Sequence, residues 1–406
     1  MYSVHEICRE RSRQFPKGFS HFIKRASMDF ELTRQQKLAR KIAREFAERE
    51  LAPHAQQWDE EMTFPSEALK KMGPLGFMGI SIPKQYEGAG LDGISYVLII
   101  EELARCCAST AIIVSVHNSV GAYPIYALGN EQQKQKYLPD LCSGRKLGAF
   151  ALTEPNAGSD PASLETMAEP CGDHFLLNGV KTFITSGSTC DTVIVMAATK
   201  REKKSRGITA FIVERGTPGF SVGAKENKLG IRASDTCELI FENCRIPAEN
   251  VLGEVGAGLT AALGALTFGR VGVGAQALGV ARCAMEECVR YSQERKQFGK
   301  PLASFQALQW MIADMATQIE AARMLIFKAA WLKDNGKPFA AEASMAKLYA
   351  SETAMNTATK AVQIHGGYGC MKDYKVERCF RDAKVIEIYE GTSEIQRLII
   401  ARNTIK

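Results

Sequence analysis

The chain has 406 residues, of which 46% are hydrophobic and 24% charged, and its formal net charge is +6. One hydrophobic core rarely supports so long a chain, so an ordinary globular composition here predicts two or three domains. No apolar run approaches the roughly 18 residues of a membrane span, and the twelve scattered cysteines favour reduced buried thiols over disulfides or a metal site.

Most of the positive charge lies in a basic leader, residues 1–27, whose six Lys and Arg against two Glu carry +4 of the +6. The remaining +2 is too small for a nucleic-acid interface. The leader could be an organelle transit peptide, a disordered tail or an extension upstream of a true start at Met28. We favour the last two because the leader lacks a clear amphipathic stripe.

Residues 28–146 carry helical patterns throughout, with apolar side chains recurring every three or four positions. Clusters of Pro and Gly separate these patterns. We therefore predict an all-helical N-terminal domain. Its helices after the first are expected over 66–73, 93–108, 111–128 and 131–143.

Residues 147–258 contain short apolar runs that are typical of β-strands. Two short apolar runs flank Asn178-Gly179, which predicts a β-hairpin. From residue 259 to 406 long helical patterns return, and one apolar face recurs at three- and four-residue steps. This third region predicts a helical bundle. The face comprises Leu308, Met311, Ile312, Met315, Ile319, Ala322 and Ile326.

Two segments of the β region could meet a polar ligand. Small and hydroxylated residues follow Leu152 up to Asp160, so backbone N–H groups and hydroxyls are available to a phosphate. Phe183-Ile184-Thr185 ends a predicted strand with an aromatic face and a hydroxyl. An ordinary loop and a core phenylalanine beside a turn are the structural alternatives.

Two further segments lie at breaks between helices of the bundle. The first runs from Glu294 to Leu302, with Gln306 just beyond, and Arg295 in it could meet a pyrophosphate. A solvated loop is the structural alternative. The second, Gln363–Gly369, is rich in glycines that permit close backbone approach, which matters more than the presence of His365.

The C-terminal stretch Ile388–Arg397 places one carboxylate, Glu390, among apolar neighbours and before a glycine. Ser393 and Gln396 have the spacing of a capping box, so a helix is expected to begin there. Glu390 would then lie on a tight turn. A carboxylate in an apolar pocket holds its proton more tightly and becomes a useful base near neutral pH, although many glutamates near a helix start only complement its dipole.

Together these segments resemble the acyl-CoA dehydrogenase family over residues 28–406. The resemblance rests on Thr-Glu-Pro-x-x-Gly-Ser-Asp from residue 153, Ile-Thr at 184, Arg-x-x-Phe-Gly-x-Pro-Leu from 295, Gly-Gly-x-Gly from 366 and Tyr-Glu-Gly-Thr-x-x-Ile-Gln from 389. It implies an α+β multidomain fold: an N-terminal all-α domain (28–146), a central β-barrel domain (147–258) and a C-terminal four-helix bundle (259–406).

The resemblance also implies FAD, an acyl-CoA thioester and a homo-oligomer, commonly a tetramer, that passes electrons to electron-transferring flavoprotein. Phe183 stands where the family usually has Trp. The compartment would be the cytoplasm in a bacterium and the mitochondrial matrix in a eukaryote. The implied FAD-binding residues are Leu152, Thr153, Gly158, Ser159, Phe183, Ile184, Thr185, Arg295, Gln297, Phe298, Gln306, Gln363, Ile364, His365, Gly366, Gly367, Thr392, Ser393 and Glu394.

The resemblance further implies an α,β-desaturation with Glu390 as the base. Some relatives place their base on a bundle helix before an Arg, but here that position is Gly269, followed by Arg270. Ser159, Thr267, Phe268, Gly269, Arg270 and Gly391 are the implied substrate contacts, and no metal is expected.

The substrate implied is a short, branched or alicyclic acyl-CoA. Relatives acting on glutaryl-CoA carry an Arg where this chain has Ala111, and a buried unpaired carboxylate would be costly there. An acyl-CoA oxidase, a flavin monooxygenase and a non-catalytic acyl-CoA-binding scaffold are the rival interpretations.

Overall fold

The structure is a computed structural model that describes residues 30–405, so the predicted leader, residues 1–27, lies outside the described residues. Its regular elements extend from a helix that begins at Arg34 to one that ends at Thr404. Helices come first, a β-sheet comes next and helices return. This order confirms the predicted fold class.

The N-terminal helical region agrees with the predicted helices. Polar side chains fix two helix starts: Asp92 accepts from the backbone N–H of Ser95, and Asn130 forms a capping box with Gln133. π-helical turns extend two of the helices, at Ala47–Leu51 and His117–Ala122. The α-helices are α1 (Arg34–Phe46), α2 (Ala55–Glu61), α3 (Ser66–Met72), α4 (Gly93–Cys106), α5 (Ala108–Val116), α6 (Tyr123–Leu128) and α7 (Glu131–Cys142).

The β region forms one eight-stranded sheet. Its hydrogen-bonded order is β6-β7-β3-β2-β4-β5-β8, and β1 pairs with β4 in parallel. The strands are β1 (Gly148–Ala151), β2 (Met167–Cys171), β3 (His174–Thr185), β4 (Thr192–Ala198), β5 (Ile208–Glu214), β6 (Phe220–Lys225), β7 (Thr236–Pro247) and β8 (Val251–Leu252).

Strand β4 shows why strands of this sheet can have continuously apolar sequences. Val193 and Val195 belong to one hydrophobic core, while Ile194 and Met196 belong to another that also contains side chains of α7. Successive side chains of a strand point to opposite faces. Both faces of β4 are therefore covered, and the usual alternation of polar and apolar residues disappears.

The predicted hairpin at Asn178-Gly179 is wrong. Both residues lie inside the single strand β3, at a register shift against β7. The Asn178 side chain accepts from the backbone N–H of Asn243 across the sheet, and a Cβ on Gly179 would lie 2.5 Å from Thr166 Oγ1. Asn-Gly therefore serves a β-bulge, and the chain reverses instead between β2 and β3, where Gly172 has φ +63°.

The C-terminal region contains three long helices and two shorter ones. Met315, Ile319, Ala322 and Ile326 are buried, which confirms the core of the predicted apolar face. A small hairpin, β9 (Lys296–Gln297) with β10 (Lys300–Pro301), joins the first two helices. The helices are α8 (Gly258–Glu294), α9 (Gln306–Asp334), α10 (Ala340–His365), α11 (Lys375–Ile386) and α12 (Ser393–Thr404).

Two helical stretches, Ala108–Leu128 and Gly258–Glu294, are long and apolar enough to cross a membrane by length and composition alone. Neither is an uninterrupted apolar run, since His117 lies in the first and Arg270 in the second. Most residues of both stretches are buried inside the protein. A core helix of a large bundle has the same composition, so these two stretches are weak indications of membrane insertion.

Candidate active site

Glu390 lies on the tight turn between α11 and α12, as its sequence context predicts. Its φ is +51°, a left-handed conformation that a non-glycine residue seldom adopts, and φ of the following Gly391 is +94°. Such backbone strain costs about 1–3 kcal/mol and persists only where the surrounding structure imposes it. The turn is therefore held by contacts elsewhere in the bundle.

The predicted capping box at Ser393 and Gln396 is wrong by one residue. The N-cap is Thr392, whose hydroxyl accepts from the backbone N–H of Ile395. Gln396 is fully buried and donates instead to the carbonyls of Glu390, at 3.2 Å, and Gly391, at 2.8 Å. The glutamine thus holds the turn rather than the helix start.

The carboxylate of Glu390 is buried and has no hydrogen-bond partner within residues 30–405, although the rest of the residue is partly exposed. Desolvation raises its pKa to about 7, while the positive charges of Arg270 and Lys347 oppose this rise. A carboxyl group with this pKa is partly deprotonated at neutral pH and can accept a proton.

Gly269 on α8 makes room for this carboxylate. A Cβ built on Gly269 would lie 2.3 Å from Glu390 Oε2 and 3.0 Å from Glu390 Cδ. A side chain at position 269 would thus enter the space that the Glu390 carboxylate fills. The side chain and the carboxylate therefore cannot both occupy this space.

The other predicted substrate contacts on α8 lie nearby in the chain but differ in exposure. Arg270 is buried, and its Nε has no partner among the described residues. Burial lowers the pKa of Arg270 and Glu390 raises it. Phe268 is buried against the ring of Tyr96, with centroids 4.8 Å apart. Thr267 is half-buried, and its hydroxyl donates to the Leu263 carbonyl.

Two polar groups near Glu390 were missed by the sequence analysis. Lys347 of α10 is fully buried and donates to the carbonyls of Glu387 and Gly391. The hydroxyl of Tyr96 is 2.8 Å from Ser115 Oγ, and both lie where a Cβ on Gly272 would clash. The sequence does show a lysine among the closely spaced alanines of α10, and this is the pattern that could have indicated a buried Lys347.

The predicted loop from Leu152 to Asp160 is fixed by a buried ion pair. Glu154 Oε1 lies 2.6 Å from Lys181 Nζ, which also donates to the Leu152 carbonyl. Burial would raise the pKa of Glu154, but Lys181 and hydrogen bonds from Thr166 and from the backbone N–H of Glu165 lower it overall. The pair leaves the polar tip of the loop exposed. Leu152 is buried and Thr153 half-buried, whereas Gly158 and Ser159 are exposed.

The end of β3 presents Phe183 to solvent. The φ of Phe183 is +57° and the side chain is 63% exposed. It lies in a register shift of the β3–β7 ladder, between Lys181 and Ile184, and such bulges re-aim side chains beside binding sites. Ile184 is buried and Thr185 half-buried. The backbone N–H of Thr182 donates to the Thr153 carbonyl, so the structure joins this segment to the predicted loop.

An open groove of about 570 Å³ brings together the other two predicted segments. Arg295 lies over the ring of Tyr368, with 5.7 Å from its Cζ to the ring centroid. His365 is buried and stacks on Tyr291, and burial lowers the pKa of its imidazole. The predicted residues that line the groove are Arg295, Gln297, Ile364, His365, Gly366 and Gly367.

The remaining predicted contacts surround these features without lining the groove. Phe298 is 93% exposed at the tip of the β9–β10 hairpin, and Gln306 and Gln363 are also exposed. Thr392, Ser393 and Glu394 follow the Glu390 turn at the start of α12. Among residues 30–405, no group of three or more His, Cys, Asp or Glu could hold a metal ion.

Three family descriptions match consecutive parts of this chain. "Acyl-CoA dehydrogenase, N-terminal domain" matches residues 33–145, the middle domain matches 149–244 and the C-terminal domain matches 256–405. The chain belongs to the acyl-CoA dehydrogenase family. The three regions of the fold are therefore the three domains of an acyl-CoA dehydrogenase. Members of this family are flavin-dependent oxidoreductases.

Individual relatives of this acyl-CoA dehydrogenase cover nearly all of it. The short-chain specific acyl-CoA dehydrogenase of Clostridium acetobutylicum is 52% identical over 92% of this chain and 99% of its own. The structure of butyryl-CoA dehydrogenase from Megasphaera elsdenii matches with a TM-score of 0.92 and 47% identity, over 93% and 100% of the two chains. A chain from a structure described as electron transferring flavoprotein of Acidaminococcus fermentans matches with a TM-score of 0.93 and 48% identity, over the same shares.

Proposed function

We propose that this acyl-CoA dehydrogenase desaturates a short, branched or alicyclic acyl-CoA to the trans-2-enoyl-CoA, with Glu390 as the base. The observation that carries the proposal is the buried carboxylate of Glu390, which lacks a hydrogen-bond partner among the described residues and has a pKa raised to about 7. An unpartnered carboxylate in an apolar site is costly. A role in taking a proton from a bound substrate would explain why the protein keeps a carboxylate in this unfavourable setting.

In this proposal, Glu390 removes a proton from the carbon next to the thioester carbonyl. The backbone N–H of Glu390 then donates to the carbonyl oxygen as negative charge develops on it. FAD, when bound, would supply the acceptor for the hydride that leaves the neighbouring carbon. The raised pKa suits Glu390 to this task, since the carboxyl group can hold the proton it receives.

Residues in three places of the chain fit FAD. The tip of the 152–160 loop is exposed, and a Cβ on Gly158 would have nothing within 4 Å, so a ligand could approach the backbone closely. Phe183 offers an exposed ring for stacking. We propose that the groove of Arg295 and Gly366 meets the FAD of a neighbouring subunit, so that the site is complete only in a homo-oligomer, expected to be a tetramer.

Several observations favour a short apolar acyl group and a flavoprotein electron acceptor. Position 111 holds a fully buried alanine, which offers no positive charge to pair with a dicarboxylic tail. Similarity to the short-chain specific and butyryl-CoA enzymes supports the same substrate class. Similarity to the chain described with electron transferring flavoprotein supports that acceptor.

Anaerobic titration of the purified protein with a panel of acyl-CoAs tests the proposal. We expect bound FAD to bleach with butyryl-CoA and branched short-chain substrates, and to remain oxidised with glutaryl-CoA. Electron-transferring flavoprotein should then reoxidise it. Steady hydrogen peroxide release without that acceptor would support an oxidase instead. A purified protein that takes up no FAD would support a non-catalytic scaffold.

A further inference from the structure

Lys347 is a buried lysine in an unusual setting. Its side chain is fully buried on α10, yet its ammonium group forms no ion pair within 4 Å among residues 30–405. It donates to two backbone carbonyls, those of Glu387 at 3.1 Å and Gly391 at 3.0 Å. Burying an ammonium group without a carboxylate contact is unfavourable, so folding alone gives little reason for a lysine here.

The two carbonyls that Lys347 binds lie on either side of Glu390. The backbone between them contains the left-handed conformations of Glu390 and Gly391. Gln396 holds the same turn from α12 through the carbonyls of Glu390 and Gly391. Lys347 thus closes the turn from one side and Gln396 from the other, which keeps the strained backbone in one conformation.

We propose that Lys347 is a positioning residue for the proton abstraction by Glu390. Its two hydrogen bonds fix the turn so that the carboxylate lies against Gly269, and its positive charge favours the ionised form of that carboxylate. This inference rests on the proposed function. Lys347 thus has two roles, to hold the turn in place and to favour the ionised carboxylate, and neither role requires contact with the substrate.

The charged groups around this pair determine the sign of the electrostatic effect. Glu390 faces Arg270 of α8 and Lys347 of α10, which both lower its pKa against the larger effect of burial. Tyr96 of α4 and Tyr389 also lie near Glu390, and burial first, with Glu390 adding to it, raises the pKa of both phenols. Removing the charge of Lys347 would leave only Arg270 to oppose burial.

The groups that face Lys347 are mostly acidic. Burial lowers the pKa of its ammonium group to about 8, Glu390, Glu387 and Glu394 raise it, and Arg270 lowers it. Lys347 is therefore largely protonated at neutral pH. Near pH 7, where Glu390 is about half ionised, most Lys347 side chains carry their positive charge.

The test compares Lys347→Met, Lys347→Gln and Lys347→Arg by the pH dependence of flavin reduction in the FAD-loaded protein with butyryl-CoA. The two neutral variants should shift the profile to higher pH by about one pH unit, so that reduction at pH 7 slows by about fivefold, because the ionised fraction of Glu390 falls from about one half to about one tenth. Lys347→Gln still carries a hydrogen-bond donor, so it isolates the loss of charge if Lys347→Met fails to fold. Lys347→Arg should keep the wild-type profile.

Lys328→Met is the matched control, because Lys328 is 59% exposed on α9 and pairs at its surface with Glu342. It should retain the wild-type profile. A neutral Lys347 variant that binds FAD and keeps the wild-type pH profile overturns the inference, since a purely structural lysine would change stability alone. A wild-type protein that no acyl-CoA reduces overturns the proposed function instead.

Discussion

The carboxylate of Glu390 occupies the space that any side chain at residue 269 would enter, because a Cβ on Gly269 would lie 2.3 Å from Glu390 Oε2. The two residues belong to α8 and to the turn before α12, 121 positions apart in the chain. A side chain on the helix at position 269 and the carboxylate on the turn therefore cannot occupy this space together.

Gly269→Ala should therefore displace the carboxylate while the fold persists. We expect flavin reduction by butyryl-CoA to slow by roughly 100-fold, because a shift of about 1 Å in a reacting group costs that much. The measurement is stopped-flow flavin reduction. Gly264→Ala is the matched control on the same helix, since a Cβ there meets nothing within 4 Å. Equal rates in the two variants would contradict the contact.

The rate of the proposed reaction should rise with pH through neutrality. The pKa of Glu390 is raised to about 7 by burial, and the base works only when deprotonated. We expect kcat/KM for a short acyl-CoA to be low at about one pH unit or more below that pKa, and to level off above it. A profile that is flat across this range would contradict Glu390 as the titrating base.

Lys181→Met should destabilise the 152–160 loop strongly. It would leave Glu154 buried without its partner at 2.6 Å, which typically costs about 3–5 kcal/mol. We expect a lower unfolding midpoint and a lower content of bound FAD. The double variant Glu154→Gln/Lys181→Met should recover part of the loss, because it leaves no unpaired charge. A single variant as stable as the wild type would show that the pair does not hold the loop.

The sequence predicted the helices and the three-part order well because these depend on patterns local to each segment. It failed where a local pattern has two structural uses. Asn178-Gly179 is a turn dipeptide, but here it forms a bulge in which Gly179 packs closely against Thr166. Ser393 and Gln396 have capping-box spacing, yet the tertiary packing of Gln396 against the Glu390 turn leaves the cap to Thr392.

The site was only partly predictable for a related physical reason. Glu390 could be singled out because its turn, glycine and apolar neighbours are adjacent in sequence. For Lys347 the sequence offered only its place on an Ala-rich helix face, and a lysine is usually exposed, so only the packed bundle shows that its ammonium group meets two carbonyls of the turn. The Glu154–Lys181 pair likewise joins a loop to a strand 27 residues later.

The most direct test of the central claim is the rate of flavin reduction in Glu390→Gln, with Glu352→Gln as its control. Glu352 lies on α10, but its carboxylate pairs at the surface with Arg397. We expect Glu390→Gln to keep FAD and acyl-CoA binding and to lose at least about 100-fold in the reduction rate, while Glu352→Gln stays near the wild-type rate. Reduction of Glu390→Gln at the wild-type rate would contradict the assignment of the base.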